Sequence, residues 1–134
     1  QLGLRHAPLL QQFLKGLSQI EEEGAIQLFY PVSSGRREPI LAAVGALQFD
    51  VVRFRLESEY GVETILEPLG YSAVRWAAGD NASIAELANS RGRLRAEDRN
   101  ADPVILFTTA WDLRYAEENA PNVNLTSSHT HNER

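Results

Sequence analysis

Residues 39–68 constrain the fold of this chain more than any other stretch of its sequence. They read as a short apolar strand at 40–44, a helix that starts after Gly45, and a second strand at 62–66 that begins beyond Gly61. Short apolar runs bounded by turn residues are typical of strands, and Gly61 suits the left-handed position that closes a helix. The stretch therefore predicts a strand, helix, strand unit.

The helix of this unit carries apolar residues at helical spacing. They form two neighbouring stripes, one of Leu47, Val51 and Phe54 and the other of Phe49, Val52 and Leu56. We expect the two stripes to make one wide apolar face, because a helix between two strands has a sheet to cover.

Another helix precedes this unit in the chain. Pro8 suits the first turn of a helix, where its missing amide is harmless. Apolar residues then recur at helical spacing, at Leu10, Phe13, Leu14 and Leu17. Gly24 ends this helix, and alternating residues at 25–32 predict a strand. With a strand end at 2–5 and a polar turn at 33–38, the first half takes the order βαββαβ.

The second half repeats that order. Strands are predicted at 72–77, 93–97, 104–107 and 123–126. Ser83 and Glu86 form a capping box for one helix. Thr108 or Thr109 caps the second helix, which runs through Glu118.

Composition and length indicate how the chain is organised. We expect a subdomain at 1–68, a second α+β subdomain at 69–126 packed on the first, and a disordered tail at 127–134. The 134 residues are 43% hydrophobic and 23% charged, which is ordinary for a soluble globular protein. No apolar run approaches the roughly 20 residues that span a bilayer, so no membrane partner is expected. The sequence has no methionine, and we therefore expect a fragment of a longer protein.

The composition also excludes several kinds of site. Without cysteine the chain has no disulfide, thiolate nucleophile or cysteine zinc ligand, which suits a cytoplasmic protein. The net charge of -5 argues against strong, sequence-independent binding of nucleic acid, because such binding depends on clustered lysine and arginine. His129 and His131 fall short of the three or four ligands of a specific metal site. We predict no catalytic, cofactor-binding or metal-binding residue in this chain.

Five arginines are the candidate contact residues. Arg36 and Arg37 are predicted at the tip of a hairpin, where they are exposed. Arg91, Arg93 and Arg95 alternate, so on a strand they share one face that can contact RNA phosphates. The alternative interpretation is an edge strand that is protected by charge from pairing with another chain.

Several other charged and aromatic residues have a structural interpretation. The acidic run at 21–23 is expected to be a solvated face. Asp98 and Asp102 lie in a predicted turn, where Asp is favoured for local hydrogen bonding. Trp76 and Trp111 are expected in the core. Ion pairs are expected within the central helix, from Arg53 and Arg55 to Asp50, Glu57 or Glu59.

Three segments carry a resemblance to a known family: GAIQLFYPV at 24–32, ILAAVGALQFDVVRFRLESEYGVETILEP at 40–68, and AVRW at 73–76. They resemble the C-terminal domain of bacterial peptide chain release factor 3, a translational GTPase, and are similar to the third domain of elongation factor G. The resemblance implies an α+β fold of ferredoxin-like type. This agrees with the residue patterns, which predict a ferredoxin-like βαββαβ first half and a second, smaller βαββαβ-like half.

The resemblance also implies a function. The full-length family member uses GTP and magnesium to promote the departure of class I release factors from the ribosome. Its nucleotide site needs a glycine-rich loop that ends in Gly-Lys-Ser/Thr. Here Lys15 is the only lysine, and Gly16 follows it. We therefore expect a non-catalytic, ribosome-facing domain, whose partners are the ribosome, through rRNA or a ribosomal protein, and the GTPase and second domains of the parent chain.

Two alternative functions stay open. The order βαββαβ also serves a self-standing RNA-binding module of RRM-like topology, which needs exposed aromatic residues on its central strands. Phe29 and Tyr30 are the nearby candidates. The other alternative is a small-molecule sensor on a ferredoxin-like scaffold, because one fold supports many functions.

Overall fold

The structure is a computed structural model that describes residues 7–33 and 38–128. The chain forms two compact units, Gln1–Pro68 and Leu69–Arg134. The first unit contains α1 (Ala7–Glu22), β1 (Gln27–Pro31), β2 (Ile40–Ala42) and α2 (Ala46–Tyr60). The second contains β3 (Ala73–Ala78), α3 (Asn81–Ala88), β4 (Arg93–Glu97), β5 (Pro103–Phe107), α4 (Ala110–Asn119) and β6 (Asn124–Thr126). The α+β class is confirmed.

The first unit packs its two helices around a β-hairpin. β1 and β2 pair antiparallel, with Leu28 opposite Leu41. Both helices and β1 contribute to one core, whose buried members are Phe13, Leu17, Ile20, Ile26, Leu28, Val52, Leu56 and Val62. The strand end predicted at 2–5 lies outside the described residues.

A glycine in the middle of α1 sets how closely the two helices of this unit approach. A Cβ atom added to Gly16 would lie 2.8 Å from Leu56 Cδ2 and 2.9 Å from the Tyr60 ring. Glycine inside a helix costs roughly 0.5–1 kcal/mol relative to alanine, and here it leaves room for the side chains of α2. Gly16 therefore allows Leu56 and Tyr60 of α2 to pack closely on α1.

The end of α2 confirms the predicted glycine stop. Gly61 is left-handed with φ 69°, and its N–H donates to the carbonyl of Glu57 at 3.1 Å. The next amide, of Val62, donates to the carbonyl of Leu56 at 2.9 Å. These two bonds satisfy carbonyls that a helix end otherwise leaves without partners.

The prediction that α2 buries one wide apolar face is wrong for one of the two stripes. Val52 and Leu56 are buried in the core, but Leu47, Val51 and Phe54 are 72%, 43% and 70% exposed. The cause is the fit to α1, since the positions that meet Gly16 and the apolar side of α1 lie on the other side of the helix. α2 covers α1 and β1. It does not cover a sheet formed by the strands that were predicted before and after it, at 40–44 and 62–66.

The strand predicted at 62–66 is also wrong, because these residues form no strand in the described structure. Val62 and Thr64 are buried while Ile65 is exposed, so burial alternates as it does in a strand. The residue pattern that predicted a strand reflects this alternation of burial, but a strand also requires a neighbouring strand to pair with. Within residues 7–33 and 38–68, the first unit therefore has the order αββα.

The second unit has the predicted order βαββαβ. Its strands are antiparallel neighbours in the order β4, β5, β3, β6, with Leu94 and Val74 both opposite Leu106 of β5. α3 and α4 complete its core, whose buried members are Ala77, Ile84, Ile105, Phe107, Leu113, Ala116 and Val123.

Helix caps in the second unit bear out one prediction and correct another. Thr109 caps α4, and its hydroxyl accepts from the amide of Asp112 at 3.0 Å. The predicted Ser83 cap of α3 is wrong, because α3 begins two residues earlier and Asp80 is its N-cap. Asp is as strong an N-cap as Ser, and the Asp80 carboxylate accepts from the amide of Ser83 at 3.3 Å.

Candidate functional site

The described structure contains three of the five candidate arginines. Arg93 and Arg95 lie two residues apart on β4, and Arg91 lies in the turn before that strand. Of the three alternating arginines, only Arg93 and Arg95 therefore lie on a strand. Arg36 and Arg37 lie outside the described residues.

Arg93 is held inside the second unit by a two-point ion pair. Its Nε donates to Asp112 Oδ2 at 2.9 Å and its Nη2 to Asp112 Oδ1 at 2.8 Å. Nη1 donates to the carbonyl of Leu87 at 2.7 Å, and the guanidinium lies 5.6 Å from the ring centroid of Phe107. The Arg93 side chain is only 7% exposed. It links β4 to the end of α3 and the first turn of α4.

The electrostatics of this pair follow from its geometry. The hydrogen bonds from Arg93 lower the pKa of Asp112 below its ordinary value, and the same bonds raise the pKa of Arg93. Bidentate pairs between arginine and carboxylate are among the strongest hydrogen-bonded pairs in proteins. Three of the donors of Arg93 are therefore used within the fold.

The other two arginines present their charge more openly. Arg91 is exposed. Arg95 is half-buried, and its Nη2 lies 3.4 Å from Asn81 Oδ1, which is a long hydrogen bond. Among the arginines of β4 and its preceding turn, these two are the available contacts for a phosphate.

The turn between β4 and β5 is organised by a buried carboxylate. Trp76 Nε1 donates to Asp98 Oδ2 at 2.9 Å. Asp98 Oδ1 accepts from the amides of Asn100 and Asp102 at 2.8 and 3.0 Å. The core position of Trp76 and the local hydrogen bonding of Asp98 are confirmed.

Trp111 is not in the core, so that prediction is wrong. It is 67% exposed and stacks on Tyr115, with ring centroids 5.5 Å apart and planes inclined by 15°. The buried positions of α4 are Leu113 and Ala116, and Trp111 lies on another side of the helix. Trp111 and Tyr115 are four residues apart and so share one face of the helix, and both are exposed.

The acidic run at the end of α1 is partly structural rather than only solvated. Glu21 Oε2 accepts from the amide of Leu28 at 2.8 Å. Glu23 forms an ion pair with Arg55, which lowers the pKa of Glu23. Arg55 also pairs with Glu59 at 3.0 Å, as predicted. The run therefore ties the end of α1 to β1 and α2.

The strands that the structure describes offer no exposed aromatic platform of the kind an RRM-like module needs. Phe29 on β1 is buried, and Tyr30 is partly buried against the core of the first unit. Bases stack on exposed rings. The geometry therefore does not favour the RRM-like alternative.

Comparison with known proteins decides the family. The family model described as class II release factor RF3, C-terminal domain, matches residues 4–117. The chain belongs to this family. It is 48% identical over 117 residues to peptide chain release factor 3 of Microcystis aeruginosa, an alignment that covers 87% of this chain and 22% of that protein.

Other relatives agree with this assignment to the RF3 C-terminal domain family. The protein of the same name from Gloeothece citriformis is 48% identical over 117 residues, again 87% of this chain and 22% of the relative. The protein of the same name from Synechococcus elongatus is 45% identical over 115 residues, which covers 86% of this chain and 21% of that protein. The chain thus spans about a fifth of the length of the curated relatives it matches.

The described surroundings of Lys15 in this member of the RF3 C-terminal domain family do not form a phosphate loop. Lys15 lies on the exposed side of α1, and the buried Gly16 beside it contacts α2. A phosphate loop needs successive free amides before its lysine, whereas α1 is continuous here. Within 7–33 and 38–128, no three His, Asp or Glu side chains form a group that could hold a metal ion. His129 and His131 lie outside these ranges.

None of the helices in the described part of the chain is both long enough and apolar enough to cross a membrane.

Proposed function

We propose that this domain is the non-catalytic, ribosome-facing C-terminal part of a translation-termination GTPase that promotes release of class I release factors. The observation that carries the proposal is the family match over residues 4–117 in a chain without a Gly-Lys-Ser/Thr loop. GTP and magnesium belong to the rest of the parent chain in this proposal. The cytoplasm is the proposed location.

The proposed ribosome contacts are Arg91 before β4, Arg95 within β4, and Arg36 and Arg37. Arg91 is exposed, as a phosphate contact requires, and Arg95 is half-buried with one long hydrogen bond to Asn81. Arg36 and Arg37 remain proposed contacts on the basis of the sequence. Arg93 can add to the local positive potential, but its N–H donors already bond to Asp112 and Leu87.

The test uses the full-length parent protein and its binding to ribosomes, measured by co-sedimentation at several salt concentrations. We expect Arg91→Glu with Arg95→Glu to weaken binding and to reduce its salt dependence, because two phosphate contacts are lost. The matched control is Arg53→Glu, which reverses an exposed charge on α2. Nucleotide binding should be the same in all three proteins.

The outcomes separate the proposed contacts from the proposed role. If the double variant and the control bind equally well, Arg91 and Arg95 are not ribosome contacts. If removal of the whole domain leaves ribosome binding and release-factor departure unchanged, the proposed role itself is wrong.

A further inference from the structure

Helix α2 is apolar on two opposite sides, and only one of them is covered. Its inward side contributes Val52 and Leu56 to the core. Its outward side carries Leu47, Val51 and Phe54, which are 72%, 43% and 70% exposed. We call these three residues the α2 stripe.

The spacing of the α2 stripe shows that it is one continuous surface. Steps of four and three residues place all three side chains on the same face of a helix. A contiguous exposed apolar patch of this kind marks a docking site on a soluble protein.

The chemistry around the α2 stripe identifies the class of surface that covers it. The exposed charges beside it on the helix are Asp50, Arg53 and Glu57, so anions outnumber cations. Nucleic acid is bound by clustered positive charge, which this face lacks. An apolar protein surface is the complementary partner.

The size of the α2 stripe indicates where that partner comes from. Three side chains of this size cover on the order of 400 Å², whereas a stable interface between separate proteins needs about 800 Å² on each partner. A small patch is sufficient when both surfaces belong to one polypeptide, since a short linker gives an effective concentration of about 1 mM. This chain spans about a fifth of the length of its relatives, so such a neighbour is available in the parent.

We propose that the α2 stripe docks against an apolar surface of another domain of the same polypeptide. This inference rests on the proposed function, because it requires the longer parent chain. Its partner is an apolar surface within the chain rather than rRNA, a second copy or a free protein.

The test measures how accessible the α2 stripe is in the full-length parent protein. Cysteine is placed at Leu47→Cys or Phe54→Cys in a parent lacking other cysteines, and each variant reacts with Ellman's reagent in the GDP-bound and GTP-analogue-bound forms. Arg53→Cys is the matched control, since it is exposed on another side of the same helix. The thermal unfolding midpoint of each variant verifies that it is folded.

We expect the two stripe cysteines to react at least about tenfold more slowly than the control in one or both nucleotide forms. A tenfold protection corresponds to about 1.4 kcal/mol of docking free energy. Equal rates at all three positions in both forms would overturn the proposal. Protection that disappears on dilution would also overturn it, because it would reveal a second copy as the cover.

The labelling experiment needs no ribosome, so it is independent of the test of the proposed function. Slow labelling of the stripe in a parent that does not bind ribosomes would contradict the proposed function and support the docking. Fast labelling in a parent that binds ribosomes normally would contradict the docking alone.

Discussion

The ion pair between Arg93 and Asp112 should contribute strongly to the stability of the second unit. Arg93→Met removes three N–H donors and leaves the Asp112 carboxylate, which is 19% exposed, without its cation. Removing one partner of a fully buried pair costs about 3–5 kcal/mol. Because Asp112 can regain part of its hydration, we expect Arg93→Met to lower the free energy of unfolding by about 2–3 kcal/mol.

A double-mutant cycle separates this pair from other effects of the substitutions. Asp112→Asn keeps one acceptor for Arg93 and should cost less, about 1–2 kcal/mol. The double variant should be more stable than additivity predicts, with a coupling of about 1–2 kcal/mol. Additive costs would show that the two side chains contribute independently.

Urea unfolding measured by tryptophan fluorescence is the appropriate assay. The chain has two tryptophans, Trp76 and Trp111, and both lie in the second unit, so their signal reports that unit. A loss below about 0.5 kcal/mol for Arg93→Met, the range of an ordinary surface substitution, would refute the reasoning.

Three further predictions follow from single contacts. The pKa of Asp112 is lowered in the folded state, so its ion pair stabilises the fold fully above the ordinary carboxyl pKa of about 3.9. This stabilisation is lost as the pH falls through the folded pKa. The difference in unfolding free energy between the native chain and Asp112→Asn should therefore become smaller when urea unfolding is repeated from pH 6 down to pH 3. Gly16→Val should cost about 2 kcal/mol by overpacking, seen as a lower unfolding midpoint of the first unit by circular dichroism, and an unchanged midpoint would contradict the close helix approach. Gly61→Ala should cost about 1 kcal/mol in the same assay because φ is positive there, and no loss would contradict the left-handed cap.

The features that were predictable from the sequence are those encoded by neighbouring residues. Gly61 closes α2 because a left-handed cap depends on one residue type at one position. Thr109 caps α4 for the same kind of local reason. The order of the second unit also follows from short runs of residues, each of which is bounded by turns.

The features that were missed depend on residues distant in the chain. Phe54 and Leu56 both lie on apolar stripes of α2, and nothing within the helix distinguishes the covered stripe from the exposed one. The covered stripe is the one whose Leu56 packs against Gly16, which lies on another helix. Residues 62–66 have the apolar alternation of a strand, but pairing requires a neighbouring strand that the local sequence does not specify.

The same limit applies to the candidate contact residues, and it affects how they should be mapped. Arg93 and Arg95 are equivalent in sequence pattern, yet Arg93 is bound to Asp112, nineteen positions further along the chain, while Arg95 makes only a long bond to Asn81. An Arg93 variant that lost ribosome binding would do so first by destabilising the second unit. Loss of binding therefore identifies a contact residue only where the unfolding free energy is unchanged, a condition that Arg91 and Arg95 should meet and Arg93 should not.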